Sequence, residues 1–134
     1  MRMTGMCLCG NLTYSADAEP TLVCVCHCKS CQRQAGTAFA TLVIIPNQTF
    51  EMAGESKIFA QPGGSGQPVE RLFCPNCGST VALTVAAVPN TVLITAGTLD
   101  DTSFVKPTRN IFCDEAQSWV PLTQNTQNFP QAPS

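Results

Sequence analysis

The stretch "CVCHCKSCQR", residues 24–33, holds four cysteines and the only histidine of a 134-residue chain. Thiols this crowded serve disulfides, a redox relay or a metal ion, and the choice governs the rest of the reading. The first residues, "MRMTGMCLCG", lack the apolar segment of a secretory signal. The expectation is a cytoplasmic protein, where thiols stay reduced and clustered cysteines bind metal more often than they cross-link. Nine cysteines are also an odd number, which disulfides alone cannot use up. A redox pair at Cys28 and Cys31 would call for a βαβ pattern around it, and none surrounds it.

Outward from this stretch the chain reads as strands. "NLTYSA" (11–16) alternates Leu12, Tyr14 and Ala16 as a half-buried strand does. "TLVCVC" (21–26) and "TAFATLVIIP" (37–46) are rich in β-branched residues and end at turn or proline signals. "KIFAQ", "VERLFC", "STVALTV" and "TVLITAG" repeat the pattern, with the flexible "PGGSGQP" between the first two. One helical turn is expected in "CKSCQRQAG", closed by Gly36 as its C-cap. The result is a mainly β chain forming a single domain over residues 1–134, with residues 123–134 a polar C-terminal tail.

Eight cysteines fall into groups: Cys7 with Cys9, Cys24 with Cys26, Cys28 and Cys31, and Cys74 with Cys77. In "FCPNCGS" a proline fixes φ and a glycine permits positive φ, so two sulfurs meet on one side of a tight knuckle. A closed structural zinc site needs four ligands, and Cys7 and Cys9, two apart on a strand and pointing the same way, are the natural partners. Strand spacing places Cys24, Cys26 and Cys28 on one face, with Cys31 curling back. A Cys26, Cys28 and Cys31 trio would grip a second ion and leave its fourth position open, the pattern of catalytic sites. Cys24 and Cys113 read as buried apolar side chains. His27, by parity on the opposite face, reads as a packing or supporting residue rather than a fourth ligand. Trp119 and Phe129 read as core or interface.

Composition removes other classes. A formal charge of −2 and only seven Lys and Arg argue against nucleic acid as a partner. No run approaches the roughly 18 apolar residues that span a bilayer.

The same pieces resemble the glutathione-dependent formaldehyde-activating enzymes, a family that shares its domain with centromere protein V. "GMCLCGNLTY" is similar to the family's opening, "CHCKSCQRQAGTAFA" to its core, and "FCPNCGSTV" to its knuckle. "GTLDD", "KPTRNIF" and "SW" follow in the family's order. Asn110 stands where members often carry a histidine. The resemblance implies a β-tent of small antiparallel sheets built around zinc. It also implies two Zn2+ ions, a structural one on Cys7, Cys9, Cys74 and Cys77 and a catalytic one on Cys26, Cys28 and Cys31.

Three thiolates around a divalent ion leave a net charge of about −1, which makes a weak Lewis acid but a good holder of another thiol. The expected activity is that of a carbon–sulfur lyase on a thiol–aldehyde adduct, in the family's case S-hydroxymethylglutathione from glutathione and formaldehyde. Arg33 and Asp100 are the candidate substrate contacts, Arg33 through a glutathione carboxylate. Solvent exposure for Arg33 and turn capping for Asp100 are the competing readings. The alternative function is a non-catalytic, zinc-stabilised interaction module.

Overall fold

Alternation builds the strands that carry the core. Tyr14 and Ala16 point inward between outward-facing Thr13 and Asp17, and Met3 does the same between Arg2 and Thr4. The computed structural model describes residues 1–133, which form eleven strands and one α-helix. In chain order these are β1 (Arg2–Met6), β2 (Thr13–Asp17), β3 (Leu22–Cys26), α1 (Lys29–Ala35), β4 (Ala40–Pro46) and β5 (Phe50–Ala53). They continue as β6 (Lys57–Pro62), β7 (Pro68–Phe73), β8 (Thr80–Val85), β9 (Thr91–Thr95), β10 (Arg109–Ile111) and β11 (Gln127–Asn128). The fold is mainly β, as the sequence led one to expect.

Two sheets result. One has three strands in the order β1-β2-β5, and the other has eight in the order β11-β10-β3-β4-β9-β8-β7-β6. Pairing is antiparallel except around β10, which runs parallel to both β3 and β11. The central strand β4 is apolar on both faces, so its sequence "LVII" shows no alternation. Val43 and Ile45 join one buried cluster with Met3, Leu12, Tyr14, Val81 and Ile94. Leu42 and Ile44 join a second with Cys24, Cys26, Cys31, Leu83 and Leu93. Each fully buried aliphatic side chain contributes roughly 1.5–3 kcal/mol, so the large sheet is held from both sides. No helix among the described residues is long and apolar enough to cross a membrane.

The two sheets meet closely at Gly5, which pairs with Tyr14 on β2 and bridges to Leu99. A methyl group there would overlap the Tyr14 ring and the Thr98 carbonyl. Tyr14 is itself fixed by a 2.7 Å hydrogen bond between its hydroxyl and that of Thr98. Gly5→Ala is expected to cost about 1–3 kcal/mol, the usual penalty of overpacking. A thermal scan should show the midpoint lowered by several degrees.

Helix α1 is short but well anchored. Cys28 is its N-cap and accepts a hydrogen bond from the Cys31 N–H, and Gly36 ends it at φ 64°, the left-handed cap expected of that glycine. The buried Gln32 amide donates to the His27 and Glu115 carbonyls at 2.7 and 2.9 Å. On the other side Gln61 of β6 donates to Ser30 at 3.2 Å and Gln34 donates to Thr80. The helix therefore spans from β3 toward the β6–β7–β8 side of the large sheet. Beyond β10, the Phe129 N–H donates to the Asn110 carbonyl at 2.8 Å, and the Cys113 N–H to the Phe129 carbonyl at 3.0 Å. The polar terminal stretch thus supplies β11 and its bonds, and Arg109 lies 5.7 Å over the Phe129 ring.

Candidate metal centre

The knuckle around Cys74 and Cys77 takes its shape from local chemistry. Gly78 turns at φ 81°, its N–H donates to the Cys74 carbonyl at 2.8 Å, and the Cys74 N–H donates to the Ser79 carbonyl at 3.0 Å. The N–H groups of Asn76 and Cys77 face the Cys74 sulfur. The opposing pair differs from expectation. Cys7 and Cys9 lie not on a strand but in a turn after β1, where Gly10 adopts φ 82° and donates to the Cys7 carbonyl at 3.1 Å. A glycine behind the second cysteine makes "CLCG" a turn in the manner of "CPNCG". The turn is tied to the knuckle by the Leu8 N–H, which donates to Ser79 Oγ at 3.0 Å.

The sulfurs of Cys7, Cys9, Cys74 and Cys77 all lie within 4.8 Å of one another. Cys9 is 3.6 Å from Cys7 and 3.7 Å from Cys74. A tetrahedron with Zn–S bonds of about 2.3 Å has sulfur–sulfur edges of about 3.8 Å, so the donor set fits zinc. Cys7 and Cys74 are buried, and the Leu12 N–H donates to Cys7 Sγ at 3.3 Å. Hydrogen bonds from the Ser79 hydroxyl and N–H bring the Cys77 thiol down to about 5, favouring the thiolate that a metal needs.

On the opposite face of the large sheet the sulfurs of Cys26, Cys28 and Cys31 also lie within 4.8 Å of one another. Cys26 and Cys31 are buried and 3.6 Å apart, whereas Cys28 is half-exposed. β3 ends at Cys26, so Cys28 reaches the group as the N-cap of α1 rather than as a strand residue. Donation by the Cys26 and Cys31 thiols, with the Cys31 N–H and the nearby Arg71 charge, brings Cys28 down to about 3. Cys26, in turn, is pushed far up by those two neighbours and by burial. Of the three thiols, Cys28 is thus the one whose charged form is favoured, and Cys26 the one whose charged form is opposed. All nine cysteines are free thiols.

No fourth sulfur joins this group among the described residues. Cys24 is buried beside it with its thiol pushed up to about 11 by burial, and Cys113 donates to the Asn110 carbonyl at 3.6 Å. Cys24 matches the buried apolar role read from the sequence, whereas Cys113 is only partly buried and spends its thiol on a hydrogen bond. His27 is fully buried on the other side, packs 5.6 Å from the Phe39 ring and faces Asn110 Oδ1 at 3.0 Å. Asn110 Nδ2 donates to Thr126 and Asn128, so this oxygen accepts from His27 Nε2–H. The buried ring of His27 is thus tied to a residue 83 positions away. Asn110→Ala would strand the buried His27 Nε2–H, at a cost of about 1–3 kcal/mol. Calorimetry should register a lower melting temperature with zinc content unchanged.

The substrate contacts expected from the sequence are not brought to the three sulfurs. Arg33 follows Cys31 by two residues, so it points to the other side of α1. There it lines a cleft of about 640 Å3 with Lys29, Gln32, Phe39, Gln117 and Trp119. Trp119 is 71% exposed and so lies outside the core. Asp100 accepts from Thr4 Oγ1 at 2.7 Å and donates through its own N–H to the Thr4 carbonyl, a bridge to β1. Sequence reasoning passed over Arg71, which is buried on the face that carries the three sulfurs. Its signal was parity within "VERLF", where Arg71 shares an inward face with Val69.

The profile of the family described as "glutathione-dependent formaldehyde-activating enzyme" matches residues 2–115. No match to a curated protein was found. Among solved structures, the crystal structure of a Rhodobacter sphaeroides protein is similar at 18% identity, with a TM-score of 0.59 over 73% of this chain and 88% of that one. At that identity the likeness speaks for the fold alone.

Proposed function

The chain belongs to the glutathione-dependent formaldehyde-activating enzyme family, and from that premise we propose that it is a zinc-dependent carbon–sulfur lyase. Its substrate class is a thiol–aldehyde adduct of the S-hydroxymethylglutathione kind. One observation carries the reading: two sulfur groups of unequal completeness, four sulfurs in one and three in the other. Cys7, Cys9, Cys74 and Cys77 would hold a structural zinc, and Cys26, Cys28 and Cys31 a second one with a position to spare. Zinc bound by three sulfurs supplies a place where an outside thiol is held as a nucleophilic thiolate.

The chain's own groups set the conditions. The Cys31 N–H, 3.2 Å from Cys28 Sγ, adds to the neighbouring thiols in favouring the negative form of that sulfur. Cys26 and Cys31 are buried and Cys28 is only partly so, which makes Cys28 the side of approach. The reaction makes or breaks a single carbon–sulfur bond. In the forward sense the sulfur pair enters the aldehyde carbon, the carbonyl π pair moves to oxygen, and oxygen takes a proton from solvent. A cytoplasmic setting, with its reduced thiols, suits this chemistry.

Exchange NMR on a glutathione–formaldehyde mixture tests the reading. Zinc-loaded protein is expected to speed interconversion of free and adduct signals, and zinc-stripped protein is not. No acceleration with any thiol–aldehyde pair would refute the lyase. The interaction-module reading has one observation in its favour. β6 is an edge strand that exposes Ile58 and Phe59 at 55% and 52%, a surface suited to strand pairing with another chain. A partner captured equally well by wild type and Cys28→Ser would speak for that reading.

A further inference from the structure

Arg71 is 4% exposed, the one buried cationic side chain among the described residues. It lies on β7 opposite Leu83, which lies opposite Leu93, which lies opposite Ile44. Directly opposed residues of an antiparallel sheet share a face. Leu83, Leu93 and Ile44 belong to the cluster that contains Cys26 and Cys31, so Arg71 stands in the same layer as the three sulfurs. The bond between Gln61 and Ser30 draws the first turn of α1, with Cys31, to the β6–β7 side.

A buried guanidinium is costly without a negative partner. The two ion pairs among the described residues are those of the Met1 amino group with Glu19 and of Arg2 with Asp17, and neither involves Arg71. The negative charge available in its layer is that of the three sulfurs. Three thiolates and one divalent ion sum to about −1, and a fourth thiolate makes about −2. A water or imidazole in the same position leaves the sum unchanged. A fixed cation in this layer therefore discriminates between occupants by charge.

We propose that Arg71 is the counter-charge of the three-sulfur site and selects a thiolate for its open position. This rests on the metal reading above and adds a positioning residue to it. Arg71 acts through the field it sets.

Cobalt-substituted protein tests this, because sulfur-to-cobalt absorption bands report each ligand added. Glutathione is titrated into cobalt-loaded wild type, Arg71→Met and Arg71→Lys, with imidazole as the neutral competitor. Wild type is expected to take the thiol in preference to imidazole. Arg71→Met should bind the thiol at least about 10-fold more weakly, with imidazole affinity little changed, and Arg71→Lys should stay near wild type. Equal thiol affinity in wild type and Arg71→Met overturns the proposal, as does a wild type that takes no thiol. If Arg71→Met does not fold, Arg71→Gln takes its place under the same criteria. Charge-dependent thiol binding without adduct turnover would remove the lyase reading and leave the counter-charge standing.

Discussion

Cys74→Ser is expected to abolish cooperative folding. The sulfur of Cys74 is fully buried in the larger cluster, among Val81, Ile94 and Leu12, and sits 3.7 Å from Cys9. Serine there removes one of four donors and leaves a hydroxyl in an apolar layer. Structural zinc in small zinc-binding peptides contributes about 10–16 kcal/mol to the folded state. A domain of this size has about 5–15 kcal/mol in total. Losing even half of the metal's contribution is therefore enough to unfold the chain. Circular dichroism should show no sharp thermal transition, and elemental analysis should show the tightly held zinc gone. A variant that melts within a few degrees of wild type with its zinc retained would contradict the structural assignment of this site.

Cys28→Ser should have the opposite profile, with chemistry lost and fold kept. Serine is among the preferred N-cap residues, so its hydroxyl can take over the bond from the Cys31 N–H and α1 stays capped. The packing of the second cluster rests on Cys26, Cys31, Leu42 and Leu83, with Cys28 at its margin. A neutral hydroxyl, however, is a poor substitute for a thiolate ligand. Adduct turnover is expected to fall by at least about 100-fold, since partners one shell further out already cost 10–100-fold. Of the two ions that the two sulfur groups imply, one should remain after dialysis. The melting temperature should move by no more than a few degrees. Cys28→Ala serves as the control for the cap: it should lose a further ~1 kcal/mol of stability with the same loss of turnover.

The sequence showed most where the chemistry is local. Gly36 announced the end of α1 because a left-handed residue is needed there, and the "CPNCG" knuckle carried its own turn residues. The grouping of seven cysteines into four and three followed from spacing, and the structure brings the sulfurs of each group together. What stayed hidden depends on distant partners. The parallel seat of β10 beside β3 joins residues about 85 apart, and nothing in "RNI" foretells it. Asn110 looked only like a histidine missing from the family pattern, yet its side chain is held by His27 and by the terminal strand. "CLC" resembled a strand because alternation alone cannot tell two outward cysteines from a turn, and Gly10 was the overlooked signal. Arg33 illustrates a different limit. Nearness in sequence to Cys31 says little when two helical residues apart means opposite sides.

The two sulfur groups also differ in how far apart along the chain their members lie. Cys26 and Cys31 are five residues apart, whereas Cys9 waits for Cys74, 65 residues later. At ribosomal speeds of ~5–20 residues per second, that wait is roughly 3–13 s. On the two-ion reading proposed above, the trio is therefore complete on the nascent chain long before the four-sulfur group can close. On that reading the first group completed in synthesis is the one with a position to spare, and the sealed group closes last.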